Sequence, residues 1–281
     1  MNKLIDGKEV AKQIKINLKE ECNILKEKGI IPKLAVIMCG NNEASKVYVR
    51  NKSRACEEVG IEYVEYFLEE NTTQEELNFQ IEKLNSDNTI SGILLQSPIP
   101  SALNINEAFK KISFEKDVDG FTPESVGKLT IGEDTFVSCT PYGIIKLLEY
   151  YNIQIEGKNA VIIGRSNIVG KPLVQCLLNK NATVTVCHSK TKNLQEFTKI
   201  ADILISAIGI PQYVTCDMVK EGAVVIDVGI NRLENGKLVG DVDFDNVKEK
   251  AAYITPVPGG VGPMTIAMLM NNVIKASKRS E

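Results

Sequence analysis

Apolar positions along the chain switch repeatedly between helical spacing and short continuous runs, and that switching predicts the fold. Residues 7–28, with Val10, Ile14, Ile16, Leu18, Cys22 and Leu25, read as an amphipathic helix. A buried strand follows at Leu34–Met38. A helix then runs from Glu43 to Val59, with Ala44, Val47, Asn51, Ala55 and Val59 as its predicted inner face and Gly60 as its stop. Glu62–Leu68 alternates as a strand, Gln74–Leu84 reads as a helix, and Ile90–Gln96 as a third strand. Two of these strands are nearly all apolar, as expected of a parallel sheet covered on both faces.

Pro141–Ile153 reads as a helix linking two bodies. A second alternating series begins beyond it: a strand at Asn159–Ile163, a glycine-bounded turn opening a helix through Leu178, then strands at Thr183–Cys187, Ile203–Ala207, Ala223–Val228 and Tyr253–Ile254. Near the end, the stretch 255–265 holds three glycines and three prolines, which excludes helix and central strand. A last helix is predicted from Met264 to about Ala276. The fold class is therefore α/β with two domains, each built on a parallel sheet, the second a Rossmann-type doubly wound dinucleotide-binding body.

Composition narrows the function. A length of 281 residues suits one large or two ordinary domains, and a net charge of −3 gives no electrostatic case for nucleic acid or an anionic membrane. No apolar run approaches the ~20 residues that cross a bilayer, and Asp6 interrupts any signal-peptide core, so a cytoplasmic protein is expected. Seven scattered cysteines and a single histidine, His188, leave no metal or redox motif. No metal site is expected. Lysine, tyrosine, carboxylates and backbone amides must do most of the chemistry.

Tyr48 and Lys52 stand one helical turn apart, so an aromatic ring and an amine share a face. A ring can stack a planar substrate, and a partly desolvated lysine can serve as acid or base. By spacing alone the pair reads as an ordinary surface pair with the lysine tip in water, and it is the rest of the chain that argues for more. Gln96 leaves the third strand at its carboxyl end, where such sheets gather ligands. Lys116–Phe121, with Asp119, reads as an acidic loop. In the second body Gly164 permits a tight strand exit, and free amides at the helix start near Pro172 can hold a pyrophosphate. Many α/β proteins carry such a glycine. After the next strand, where an acid would accept a ribose 2′-hydroxyl, the chain reads Cys187-His188-Ser189-Lys190-Thr191-Lys192. Together with Arg165, that cationic corner suits a 2′-phosphate, and predicts NADP rather than NAD.

Five segments, read together, resemble one family. Tyr48-Val49-Arg50-Asn51-Lys52, Gly92-Ile93-Leu94-Leu95-Gln96, Lys116-Asp117-Val118-Asp119-Gly120-Phe121, Gly164 through Pro172, and Pro256 through Thr265 are similar, in order, to the bifunctional methylenetetrahydrofolate dehydrogenase/methenyltetrahydrofolate cyclohydrolases. Asp227-Val228-Gly229-Ile230-Asn231 and Gly240-Asp241-Val242 add to the match. Ser97 and Cys39 stand where that family usually has leucine and valine. The resemblance implies that Tyr48 stacks on the folate, Lys52 is the cyclohydrolase lysine, Gln96 tunes it, and Asp119 anchors the pterin. It implies that Gly164, Arg165, Ser166, Ser189 and Ile230 hold NADP, and that Pro258, Gly259, Gly260, Val261 and Gly262 contact folate. It also implies a folate-binding catalytic domain from 1–120 and 265–281, an NADP-binding domain at 121–264, a cleft between them that both steps share, and a homodimer. Two rivals keep the architecture: a dehydrogenase of small hydroxy or amino acids, and a non-catalytic nucleotide sensor.

Overall fold

The structure, a computed structural model, describes residues 3–279, apart from the side chain of Ala44. The chain opens with β1 (Lys3–Leu4) and α1 (Gly7–Glu27), followed by β2 (Lys33–Cys39), α2 (Glu43–Val59), β3 (Glu62–Leu68), α3 (Gln74–Ser86) and β4 (Gly92–Gln96). Two helices, α4 (Ile105–Lys111) and α5 (Pro123–Ile131), precede α6 (Cys139–Tyr150). Then come β5 (Asn159–Ile163), α7 (Gly170–Leu178), β6 (Thr183–Cys187), α8 (Leu194–Thr198), β7 (Ile203–Ser206) and β8 (Val224–Asp227). A short hairpin, β9 (Asn231–Arg232) and β10 (Leu238–Val239), leads through α9 (Phe244–Val247) and β11 (Tyr253–Ile254) to α10 (Val261–Arg279).

Contacts divide the chain into two compact units. One holds Lys12–Ser138 and the chain from Ile266 on; the other holds the residues up to Ala11 and Cys139–Thr265. The expected division after residue 120 differs from this. Residues 121–138 belong with the first unit because the Asp117 carboxylate accepts from the Thr122 amide at 2.8 Å and the Ser125 hydroxyl at 2.6 Å. The N-terminal residues belong with the second, because β1 pairs in parallel with β11. The helix at α6 is no linker: it lies wholly in the second unit and packs on α7, and a Cβ on its Gly143 would meet Met264 Cβ at 2.8 Å.

In the first unit three parallel strands run in the order β3-β2-β4. The central strand β2 is buried from Leu34 through Cys39, as a strand covered on both faces must be. Its Ala35, Ile37 and Cys39 share one face with Ile93 and Leu95 of β4, and that face packs on Leu77, Ile81 and Leu84 of α3. Two side chains fasten the loop after α4. Lys116 donates to three carbonyls at the end of α3, those of Leu84, Asn85 and Asp87, and Asn272 of α10 donates to the carbonyls of Val118 and Val137. Burial in that environment pulls the Lys116 ammonium below its ordinary value.

In the second unit six parallel strands run β1-β11-β8-β7-β5-β6. Counted from β5, the order is second-first-third-fourth-fifth, with β1 added at the far edge. The order reverses at β5, and in sheets of this kind ligands bind beyond the strand ends at that reversal. The core of one face comprises Val161 and Ile163 of β5, Leu204 of β7 and Val225 of β8 with Val214, Val242 and Val247. Among the described residues no helix is long and apolar enough to cross a membrane, and no group of three or more histidine, cysteine or acidic residues could hold a metal.

Candidate functional site

The first unit brings Lys52 and Gln96 together. Asn42 caps α2 by accepting from the Ser45 amide at 3.0 Å, and the helix carries Lys52 toward the carboxyl end of the sheet. There Lys52 Nζ donates to Gln96 Oε1 at 2.8 Å. The amide of Gln96 is buried, and its Nε2 donates to the Ser97 carbonyl at 2.5 Å. With the nitrogen committed to a carbonyl, the oxygen must face the lysine. Tyr48 lies one turn before Lys52 with its ring exposed.

Asp119 sits on a loop fixed on both sides. A Cβ on Gly92 would lie 2.4 Å from Val118 Cγ1, so the loop seats against β4 only because residue 92 is glycine. Gly120 has φ +71, and a Cβ there would meet the Phe136 carbonyl oxygen at 2.6 Å. Between these points Asp119 is half-buried. Its neighbour Asp117 is a different kind of group: fully buried, it accepts from the Phe121 and Thr122 amides and the Ser125 hydroxyl ahead of α5, and desolvation raises its pKa.

The inner face of α2 differs from expectation. Val47 and Asn51 are exposed, while Ser45, Val49, Ala55, Cys56 and Val59 are buried; the side chain of Ala44 lies outside the described residues. The buried face therefore runs along 45, 49, 52, 56 and 59, with polar residues at its site end. Ser45 was missed by the sequence. Its hydroxyl is buried without a hydrogen-bond partner among the described residues, on the face of Lys52.

In the second unit the exit of β5 is built from backbone. Gly164 has φ +121, and a Cβ there would lie 2.4 Å from the Ala207 carbonyl oxygen, so the exits of β5 and β7 touch. Gly170 is equally confined, its Cβ position lying 2.5 Å from the Gly164 carbonyl oxygen. The amides at the start of α7 are not open, contrary to expectation. Val169 and Gly170 donate to Ser166 Oγ at 3.2 and 3.3 Å, and Lys171 donates to the Ser166 carbonyl at 3.0 Å. Pro172 has no amide hydrogen to offer. The groups the loop presents outward are instead the exposed Arg165 and Ser166. Beyond β6, the His188 amide donates to Thr191 Oγ1 at 2.9 Å, closing a turn that leaves Ser189 and Lys190 exposed.

The expected folate-contacting loop, 258–262, also belongs to the second unit. Gly259 (φ +111) accepts from the Lys8 amide at 3.1 Å, and a Cβ on Gly7 would lie 1.8 Å from the Gly260 carbonyl oxygen. Pro258 is exposed and Gly262 half-buried, whereas Gly259, Gly260 and Val261 are buried. The prediction that this stretch excludes helix fails at its end. Helix α10 starts at Val261, because Pro263 falls in the first turn, where a missing amide hydrogen costs nothing. The Cβ position of Gly262 lies 3.6 Å from Ile230 Cδ1, so the loop adjoins exposed Ile230.

Comparison with known proteins decides the family. The catalytic domain of tetrahydrofolate dehydrogenase/cyclohydrolase matches residues 5–119, and the NAD(P)-binding domain of the same family matches residues 138–281. The chain belongs to the tetrahydrofolate dehydrogenase/cyclohydrolase family. The bifunctional protein FolD of Bacillus anthracis is 56% identical over 279 residues, covering 99% of this chain and 97% of the relative. The bifunctional FolD enzyme of Campylobacter jejuni superposes with a TM-score of 0.98 at 53% identity, covering 99% of each chain. The Trypanosoma brucei methylenetetrahydrofolate dehydrogenase-cyclohydrolase, solved with NADP and an inhibitor, gives 0.95 at 40% identity, covering 99% of this chain and 98% of that one.

The donor set of this family member fits NADP. Ser166 Oγ accepts two amides, Arg165 is an exposed planar cation, and residues 187–192 after β6 carry no carboxylate, a set whose charge suits a 2′-phosphate.

Proposed function

We propose that this chain oxidises 5,10-methylenetetrahydrofolate to 5,10-methenyltetrahydrofolate with NADP, then hydrolyses that product to 10-formyltetrahydrofolate. The family supports both activities. The observation that carries the residue assignment is the 2.8 Å bond from Lys52 Nζ to Gln96 Oε1 at the carboxyl end of a parallel sheet.

NADP, when bound, supplies the hydride acceptor. Gly164, Arg165, Ser166, Ser189 and Ile230 hold and orient it, with Arg165 on the 2′-phosphate. In the first unit Tyr48 stacks on the folate near the one-carbon unit. Asp119 accepts from the amino group and ring nitrogen of the pterin, a pair of donors that a carboxylate matches. The backbone around Asp119 is locked by Gly92 and Gly120, so the anchor is formed before substrate arrives.

Loss of hydride leaves a methenyl cation bridging N5 and N10. Water adds to that carbon and loses one proton to solvent; the remaining hydroxyl proton then passes to N5 as the bond from carbon to N5 breaks and the oxygen becomes the carbonyl of a formyl group on N10. Lys52 carries the proton between those positions. Gln96, itself fixed by Ser97, keeps the amine aimed at the reacting carbon rather than at solvent. Residues Pro258, Gly259, Gly260, Val261 and Gly262 contact folate, with Pro258 and Gly262 supplying the accessible edge.

The partners of this reading are small molecules, with no nucleic acid and no membrane. The chain works as a cytoplasmic homodimer through its second unit; sedimentation of the purified chain tests the dimer. Turnover with methylenetetrahydrofolate and NADP tests the chemistry. The methenyl absorbance band should rise transiently as NADPH forms. NADPH formation only with hydroxy or amino acids would favour the first rival, and binding without turnover the second.

A further inference from the structure

Two buried carboxylates in the second unit have no part in the chemistry above. Asp241 has 0% exposure and accepts from five donors, one at the end of β7 and four on the loops after β7 and β8. Its Oδ2 takes the Ile208 amide at 2.8 Å, the Gly209 amide at 3.2 Å and the Ser206 hydroxyl at 3.2 Å. Its Oδ1 takes the Ile210 amide at 3.0 Å and Asn231 Nδ2 at 3.1 Å. Three consecutive amides of the β7 exit and the side chain that follows Ile230 therefore converge on one group.

Asp227, at the end of β8, holds Asp241 in turn. Its Oδ1 accepts from the Asp241 and Gly229 amides at 2.9 and 3.0 Å, and its Oδ2 from the Val242 amide at 2.9 Å. Both carboxylates fit because their neighbours lack side chains. A Cβ on Gly229 would lie 2.1 Å from Asp241 Oδ1, and one on Gly240 would lie 1.8 Å from Asp227 Oδ2. Since Gly164 already abuts Ala207, the exits of β5, β7 and β8 form one hydrogen-bonded frame.

The frame has a direction. A dinucleotide lies across the sheet where the strand order reverses, here at β5. Its phosphorylated ribose goes to the β6 side, where Arg165, Ser189 and Lys190 are exposed. The opposite half must then extend over the exits of β7 and β8. There the frame presents Ile210 and Ile230, each about half exposed, on the two loops that Asp241 joins. We propose that Asp241 is a positioning residue for the dehydrogenase step, shaping the 208–210 and 229–231 loops into the receptor for the nicotinamide half of NADP. Three amides and a side-chain amide need an acceptor with two full oxygens, which no neutral side chain of that size supplies. The inference rests on the proposed use of NADP.

The test uses the full chain with Asp241→Asn, and Asn231→Ala, which removes one donor and leaves the frame otherwise intact. For each, three quantities are measured: KM for NADP, the dissociation constant of 2′,5′-ADP (the adenosine half without nicotinamide), and hydrolysis of added methenyltetrahydrofolate. Asp241→Asn should raise KM for NADP about tenfold or more, with 2′,5′-ADP binding and hydrolysis within about twofold of the parent; Asn231→Ala should show the same split, smaller. If Asp241→Asn does not fold, the split in Asn231→Ala decides. Equal weakening of NADP and 2′,5′-ADP, equal loss of both activities, or no change would overturn the proposal. A parent chain that binds 2′,5′-ADP but never reduces NADP would overturn the proposed function instead.

Discussion

The two units solve the same topological problem with different materials. Each begins its sheet in the order second-first-third strand, and in each the proposed functional groups lie at the carboxyl ends where that order reverses. The first unit puts side chains there: an amine on an amide, with an aromatic ring one turn away. The second puts backbone there, glycines with no room for a Cβ and amides held by buried aspartates. The difference follows from where the reactive atoms come from. Moving a proton requires a titratable group of the protein's own, whereas hydride transfer uses a cofactor that needs only to be held and oriented.

If that division is right, substitutions should separate the two activities. The largest effect belongs to Lys52→Met, which should lower cyclohydrolase activity by roughly two orders of magnitude or more, the scale of acid–base catalysis. NADPH formation should stay near the parent rate. Cyclohydrolase at the parent rate would remove lysine from the mechanism. Gly164→Ala comes next. Its new methyl would lie 2.4 Å from the Ala207 oxygen at a φ of +121, so KM for NADP should rise about tenfold or more, with hydrolysis of methenyltetrahydrofolate retained. Parallel loss of both activities would show that the two units are not separable in this way.

Smaller still, Arg165→Ala should raise KM for NADP several-fold while leaving that for methylenetetrahydrofolate unchanged. Equal changes would make Arg165 structural and return NAD to consideration. The least effect is on stability. Burial, with the neighbouring Asp241 charge adding to it, pushes the Asp227 carboxyl up to about 6. The folded chain therefore holds this proton more tightly than the unfolded chain does, and the stability from this group falls as pH rises from about 4 to about 6. Asp227→Asn removes that component. Its unfolding free energy, measured by denaturant titration, should fall less across that window than the parent's.

Much of this was legible in the chain. The bounds of α2, β3, β5, β6 and β11 follow from periodicity and from stops such as Gly60. The inner face of α2 was misread for a physical reason. The three- and four-residue spacing counted from Ala44 selected Val47 and Asn51, but the helix turns Ser45 and half-buried Lys52 inward, so polar groups stand on a face that packing alone would make apolar. Helix α5 carried its signals openly, with Thr122 as cap, Pro123 in the first turn and Gly132 as stop, and was passed over. The pairing of β1 with β11 was not legible, since two residues carry no period and their partner lies at the other end of the chain. Nor were the roles of Asp227 and Asp241. Their motifs were visible, but that they converge on the loops after β7 and β8 is a tertiary fact.

The account stands on the claim that the folate reacts at the side-chain site of the first unit. A crystal of the chain with a bound non-reactive folate analogue tests this most directly. The pterin should bond the Asp119 carboxylate, with Lys52 Nζ within about 3 Å of the one-carbon position or joined to it through one water. A pterin seated away from both residues would contradict it.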